Sequence, residues 1–152
     1  MGQISSSIEG VIITPLKIIE KDQGNIMHAM KMGDEGYAGF GEAYFTFVKH
    51  KVIKGWKKHG LMTLNLIVPI GAVKFVLFDD RKDSPTQGLF FEIILSTLNY
   101  QRLTVPPKIW IAFQGIGGQE NMVLNLASIM HDPAETEDLN LKEAYLQYHN
   151  WI

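Results

Sequence analysis

The chain contains no cysteine. That absence removes disulfides, thiolate metal sites and cysteine nucleophiles together. It has no excess of positive charge either: 14 Lys and Arg stand against 16 Asp and Glu, a formal net charge of −2. Proteins that grip nucleic acid through its phosphates carry a basic excess or stripe, so no nucleic-acid partner is expected. No apolar run approaches the roughly 20 residues that a membrane span requires. The opening stretch, Met1-Gly2-Gln3-Ile4-Ser5-Ser6-Ser7, lacks the basic-then-apolar order of a secretory signal. A cytoplasmic protein without a membrane partner is therefore expected. The five histidines form no His-x-His pair and no His-Glu-x-x-His. A metal centre needs three or four converging ligands, so neither metal nor cofactor is expected.

What is present is a chain of 152 residues, 46% apolar and 20% charged. This is enough for one globular domain with a sizeable core and too little for two. We expect a single domain over residues 1–152 with a frayed start at about 1–7. Strand signals dominate. Glu42 to Val48 is rich in aromatic and β-branched residues, Leu61 to Val68 and Ala72 to Phe78 are apolar runs, and Leu89 to Leu95, Ile109 to Phe113 and Met122 to Ala127 follow. Pro69-Ile70-Gly71 reads as the turn of a hairpin, and Gly115-Ile116-Gly117-Gly118 as the turn of another. Helical spacing is confined to the tail, about 134–152, where Leu139, Lys142, Glu143 and Leu146 recur, with Pro133 at a first turn beside Asp132 and Glu135. The order of signals predicts an all-β sandwich or barrel with a short C-terminal helix.

The densest polar cluster is Lys54-Gly55-Trp56-Lys57-Lys58-His59. On an extended strand Lys57 and His59 share a face, because side chains alternate. Thr63 and Asn65 share a face with each other inside an otherwise apolar run. A polar side chain in a buried strand must find a partner or line a cavity. The cluster is thus either the polar wall of a ligand site or a basic surface loop with two satisfied core residues.

Several stretches, taken in order, resemble the dTDP-4-dehydrorhamnose 3,5-epimerase family of sugar-nucleotide cupins. They are Ile8-Glu9-Gly10-Val11-Ile12-Ile13-Thr14-Pro15-Leu16, Gly24-Asn25-Ile26-Met27-His28, Lys54-Gly55-Trp56, Gly71 through Asp79-Asp80-Arg81, Lys82-Asp83-Ser84-Pro85-Thr86-Gln87-Gly88, and Leu103-Thr104-Val105-Pro106-Pro107. The resemblance spans residues 8 to 133 and implies a cupin-type double-stranded β-helix, or jelly roll, that assembles as a homodimer. It implies a nucleotide-linked 4-keto sugar as partner and epimerisation without a metal, in cell-surface polysaccharide or O-antigen biosynthesis. A 4-keto group acidifies the neighbouring carbons, so such an enzyme needs a base on one face, an acid on the other and a cation near the enolate oxygen.

Two departures stand out against that family. Its catalytic histidine falls at Lys57, and its catalytic tyrosine falls at Leu124 or a neighbour, on a stretch with no tyrosine. His59 suits the base, because an imidazole can take up and release a proton near neutral pH. Lys57 suits stabilisation of the enolate oxygen, and Lys54, in the family's arginine position, suits the pyrophosphate. Thr63, Asn65, Gln114 and Asn125 are the candidate sugar-binding residues. The alternatives are a nucleotide-sugar-binding cupin that has lost its chemistry, and a 3,4-ketoisomerase.

Overall fold

Turn-forming Gly, Asp and Pro residues cut the chain into short strands, which the computed structural model describes over residues 4–5, 7–142 and 145–152. The strands are β1 (Ile4–Ser5), β2 (Ile12–Pro15), β3 (Ile18–Ile19), β4 (Ile26–Met27), β5 (Glu42–Phe47), β6 (Ile53–His59), β7 (Leu64–Ile70), β8 (Ala72–Phe78), β9 (Phe90–Ser96), β10 (Gln101–Val105), β11 (Trp110–Gly115), β12 (Met122–Ala127) and β13 (Thr136–Asp138). Two sheets result. One runs β1-β9-β8-β11-β6-β13 and the other β2-β10-β7-β12-β5, while β3 and β4 form a small ribbon. Among the described residues, every pairing between these strands is antiparallel except that of β1 with β9. Ile4 and Ser5, in the stretch expected to fray, thus belong to a sheet.

The inner faces of the sheets meet in a core that includes Leu64, Leu66, Val73, Phe75, Leu77, Leu103, Ile111 and Val123. Burying each such side chain contributes about 1.5–3 kcal/mol. A second cluster lies on the outer face of the six-stranded sheet, where Trp56, Val76, Phe78, Phe90 and Trp110 pack beneath Leu146 and Tyr148. β8 is therefore covered on both faces, which explains why Ala72 to Phe78 reads as an almost unbroken apolar run.

The two expected hairpins are not hairpins. β7 and β8 lie in different sheets, and so do β11 and β12, so each connection carries the chain from one sheet to the other. The buried Asn121 amide stitches both corners. Its Oδ1 accepts from the Ala72 amide (3.0 Å), and its Nδ2 donates to the carbonyls of Gly117 (2.9 Å) and Val48 (3.1 Å). Side chains at Gly71, where φ is +79°, or Gly117 would collide with that amide.

The expected C-terminal helix is also corrected. Asp132 does cap a turn by accepting from the Ala134 amide (2.9 Å), but the turn is a single 3-10 turn at Pro133–Glu135. The chain then pairs with β6 as β13. No helix follows among the described residues, and residues 143 and 144 lie outside them. Leu146 and Tyr148, two apart, turn to the same outer aromatic cluster, with the Tyr148 ring 5.5 Å from Phe90 and 4.9 Å from Trp151. Side chains of the sheet satisfy the tail backbone in place of helical bonds. Lys74 Nζ donates to the Asn150 carbonyl (2.6 Å), and Gln114 exchanges two bonds with Ile152 (both 2.9 Å).

Candidate active site

A cavity of about 430 Å³ opens between the two sheets. Its floor is apolar, built from Leu64, Leu66, Ile111, Phe113 and Val123. One wall is β6, which contributes Lys54, Lys57 and His59; the facing wall is β5 and β12, which contribute Tyr44, Thr46 and Asn125.

Lys57 and His59 share the cavity face by simple alternation. Lys54 is three residues from Lys57 and would face the other way on a regular strand. A bulge corrects the phase: Lys57 pairs with Ile111 and Gly55 with Ala112, leaving Trp56 as the extra residue. Lys54 consequently sits opposite Phe113, on the same side as Lys57 opposite Ile111. Trp56 turns its ring into the outer cluster.

His59 is buried, with 7% of its surface exposed. Its Nδ1 lies 2.6 Å from Glu135 Oε1, and Glu135 Oε2 accepts from the Leu61 amide (3.1 Å). Burial alone would raise the Glu135 carboxyl. The hydrogen bonds from His59 and the Leu61 amide outweigh it and hold the group below the usual carboxylate range. An ionised Glu135 fixes the proton on Nδ1 and leaves Nε2 as the basic nitrogen. Lys57 Nζ is 3.8 Å from Asp138 Oδ1, and both side chains are substantially exposed. Lys54 Nζ donates to the Phe47 carbonyl (2.7 Å).

Three other candidates lie elsewhere. Thr63 is outside the cavity lining, and its amide is taken by Ser128 Oγ (2.8 Å). Asn65 is buried behind the floor, donating to the Gly36 carbonyl (3.0 Å) and accepting from Thr104 Oγ1 (2.6 Å). Gln114 faces the opposite side of its sheet and holds the tail. On β12 the inward residue is Asn125, and Leu124 faces outward. Two residues were not expected in the site: Glu135, placed by sequence only at the first turn of the tail and 76 residues from its histidine, and Tyr44, on a strand legible only as half-buried. No local signal ties either to β6. Among the described residues, no three His, Asp or Glu side chains converge as a metal site.

The two sheets and the cleft between them define a cupin-like jelly roll. No protein-family model matches the chain. Solved structures do. A dTDP sugar isomerase from Desulfovibrio desulfuricans G20 is 31% identical, with a TM-score of 0.90 over 93% of this chain and 91% of that one. A dTDP-4-dehydrorhamnose 3,5-epimerase from Bacillus anthracis, with TDP and pyrophosphate bound, superposes with a TM-score of 0.80 at 18% identity, over 96% of this chain and 87% of its own. Among curated proteins, a probable low-salt glycan biosynthesis epimerase, Agl13 of Haloferax volcanii, is 22% identical over 87% of this chain and 86% of its own length. The chain belongs to the family of dTDP-sugar isomerases and dTDP-4-dehydrorhamnose 3,5-epimerases.

Proposed function

We propose that this protein is a sugar-nucleotide epimerase or isomerase that removes a proton beside the ketone of a nucleotide-linked 4-keto sugar, with His59 as the base. The observation that carries this reading is the His59–Glu135 pair, 2.6 Å apart, at the edge of a cavity that also holds two lysines. Glu135 orients the imidazole and stabilises the imidazolium that forms. Lys57, loosely paired and half-exposed, neutralises the enolate oxygen, and Lys54 meets the pyrophosphate as a point charge. The apolar floor suits a deoxy-sugar ring or a base, and Asn125 offers an amide to a sugar hydroxyl. The related structure with bound TDP and pyrophosphate supports a thymidine nucleotide as the carrier, and the glycan-biosynthesis relative supports a role in surface polysaccharide formation. We infer a homodimer in the cytoplasm; exposed Phe45 and Phe47 on edge strand β5 support a covered surface there. The whole chain acts as one domain.

The test is incubation in deuterated buffer with 4-keto-6-deoxy sugars carried on dTDP, GDP, CDP and UDP, counting deuterons by mass spectrometry. The wild-type protein gains one or two on at least one sugar. His59→Ala lowers the rate by about 10²–10⁴, and Glu135→Gln by a smaller factor. A wild-type protein that binds these nucleotides but exchanges nothing would establish the binding-only alternative.

A further inference from the structure

Inverting a carbon centre requires a proton to leave one face and another to arrive on the opposite face. β6 supplies a base on one wall of the cavity. The facing wall must therefore supply the acid, and there the cavity is lined by Tyr44, Thr46 and Asn125 beside apolar residues. Of these only a phenol has a pKa, about 10, within the range of a general acid.

The hydrogen bonds around Tyr44 fix which way its proton points. Asn125 Oδ1 accepts from the main-chain amide of Asn65 (3.3 Å), a group that can only donate. The other end of the Asn125 side chain must then be its NH₂, and this Nδ2 donates to Tyr44 Oη (3.0 Å). Asn65 is itself locked by Thr104 Oγ1 and the Gly36 carbonyl. The relay therefore runs in one direction and ends on the phenol oxygen as an acceptor. The Tyr44 hydroxyl proton has no acceptor among the described residues and is free to point into the cavity.

We propose that Tyr44 is the catalytic acid, a role that rests on the epimerase reading of the same site, and that Asn125 is its positioning residue. His59 Nε2 takes the proton as the C–H bond breaks, and the electron pair moves onto the ketone oxygen as an enolate. Tyr44 Oη–H then gives its proton to the opposite face of that carbon, forming the new C–H bond. The hydrogen bond from Asn125 stabilises the phenolate left behind. Imidazolium and phenolate return to their starting states by exchange with water.

The experiment compares wild type, Tyr44→Phe and Tyr44→His in deuterated buffer on dTDP-4-keto-6-deoxyglucose and its GDP, CDP and UDP counterparts. It reads two rates: deuterium entry into the sugar by mass spectrometry, and inversion by NMR of the product. Retained dTDP binding and melting temperature establish that the variants fold. For Tyr44→Phe the account expects inversion to fall at least about 100-fold. Deuterium entry should stay within a few-fold of wild type, because His59 still removes a proton and returns a deuteron to the same face. Tyr44→His should recover part of the inversion. Inversion by Tyr44→Phe at the wild-type rate overturns the assignment, and so does equal loss of entry and inversion, since Tyr44 would then be needed before any proton moves. A wild-type protein that exchanges nothing overturns the epimerase reading, and this proposal with it.

Discussion

The two faces of β6 carry the same kinds of residue to different ends. On the outer face Lys58 is enclosed: its Nζ lies 3.3 Å from both Asp80 and Glu137 and sits 4.7 Å from the centre of the Trp110 ring. Burial alone would lower its pKa, yet the two carboxylates raise it above the ordinary lysine value. On the inner face Lys57 has a single carboxylate at 3.8 Å and faces the cavity. The contrast teaches how charge is sorted in this fold. A cation whose partners are complete holds strands together, and a cation left incompletely paired beside a cavity keeps interaction capacity for a ligand. β13 serves both faces, since Glu137 turns to Lys58 and Asp138 to Lys57.

The comparison can be broken first at the outer aromatic cluster. Phe90 is 2% exposed and packs on Phe78, Trp56 and Tyr148. Phe90→Ala should cost about 3–5 kcal/mol of stability, read as a lower urea midpoint, with deuterium exchange per folded molecule little changed. A loss of exchange without a loss of stability would mean that the outer face also shapes the site.

A smaller effect is expected at Asp79, which is fully buried beneath the outer loop. Burial pushes its carboxyl up. Hydrogen bonds from Arg81, Ser84 and Thr86 more than offset this and hold it well below the ordinary value of 3.8. A folded pKa below the unfolded one means that the stabilisation is complete above the unfolded value and is lost as pH falls below it. Between about pH 5 and pH 3 the wild-type urea midpoint should drop, and that of Asp79→Asn should drop less from a lower start. Parallel curves for the two proteins would remove Asp79 as the source.

Much of the strand pattern was legible because each strand's composition is local. Ala72–Phe78 and Met122–Ala127 stand where alternation and β-branching put them. The corners were not legible. A Gly-containing turn between two apolar strands looks the same whether the strands pair or part, and the decision here lies with Asn121, remote from Gly71 in sequence. The tail misled for a related reason: Leu139, Lys142 and Leu146 fit a helix, but the apolar face that Leu146 and Tyr148 could cover belongs to strands assembled from elsewhere in the chain. In the site, Lys57 and His59 lie on one face as the strand period requires. Lys54 joins them only through a bulge that leaves no mark in the sequence. Asn65 showed the correct sign of a buried polar residue, but its partners are the Gly36 carbonyl and Thr104 of the fold, and Gln114, a sugar-binding candidate by sequence, holds the tail instead. Tyr44 and Glu135 meet the site only through long-range pairing.

The sharpest measurement sets the two lysines side by side. Deuterium entry into the accepted 4-keto nucleotide sugar would be timed for Lys57→Met and Lys58→Met, two equal chemical changes on adjacent residues of one strand. The account predicts that Lys57→Met loses at least about tenfold in kcat/KM, with its urea midpoint near wild type. It predicts that Lys58→Met stays within about twofold in rate and loses up to about 1 kcal/mol in stability. Equal rates for the two variants, or a slower Lys58→Met, would contradict the division of β6 into a chemical face and a structural one.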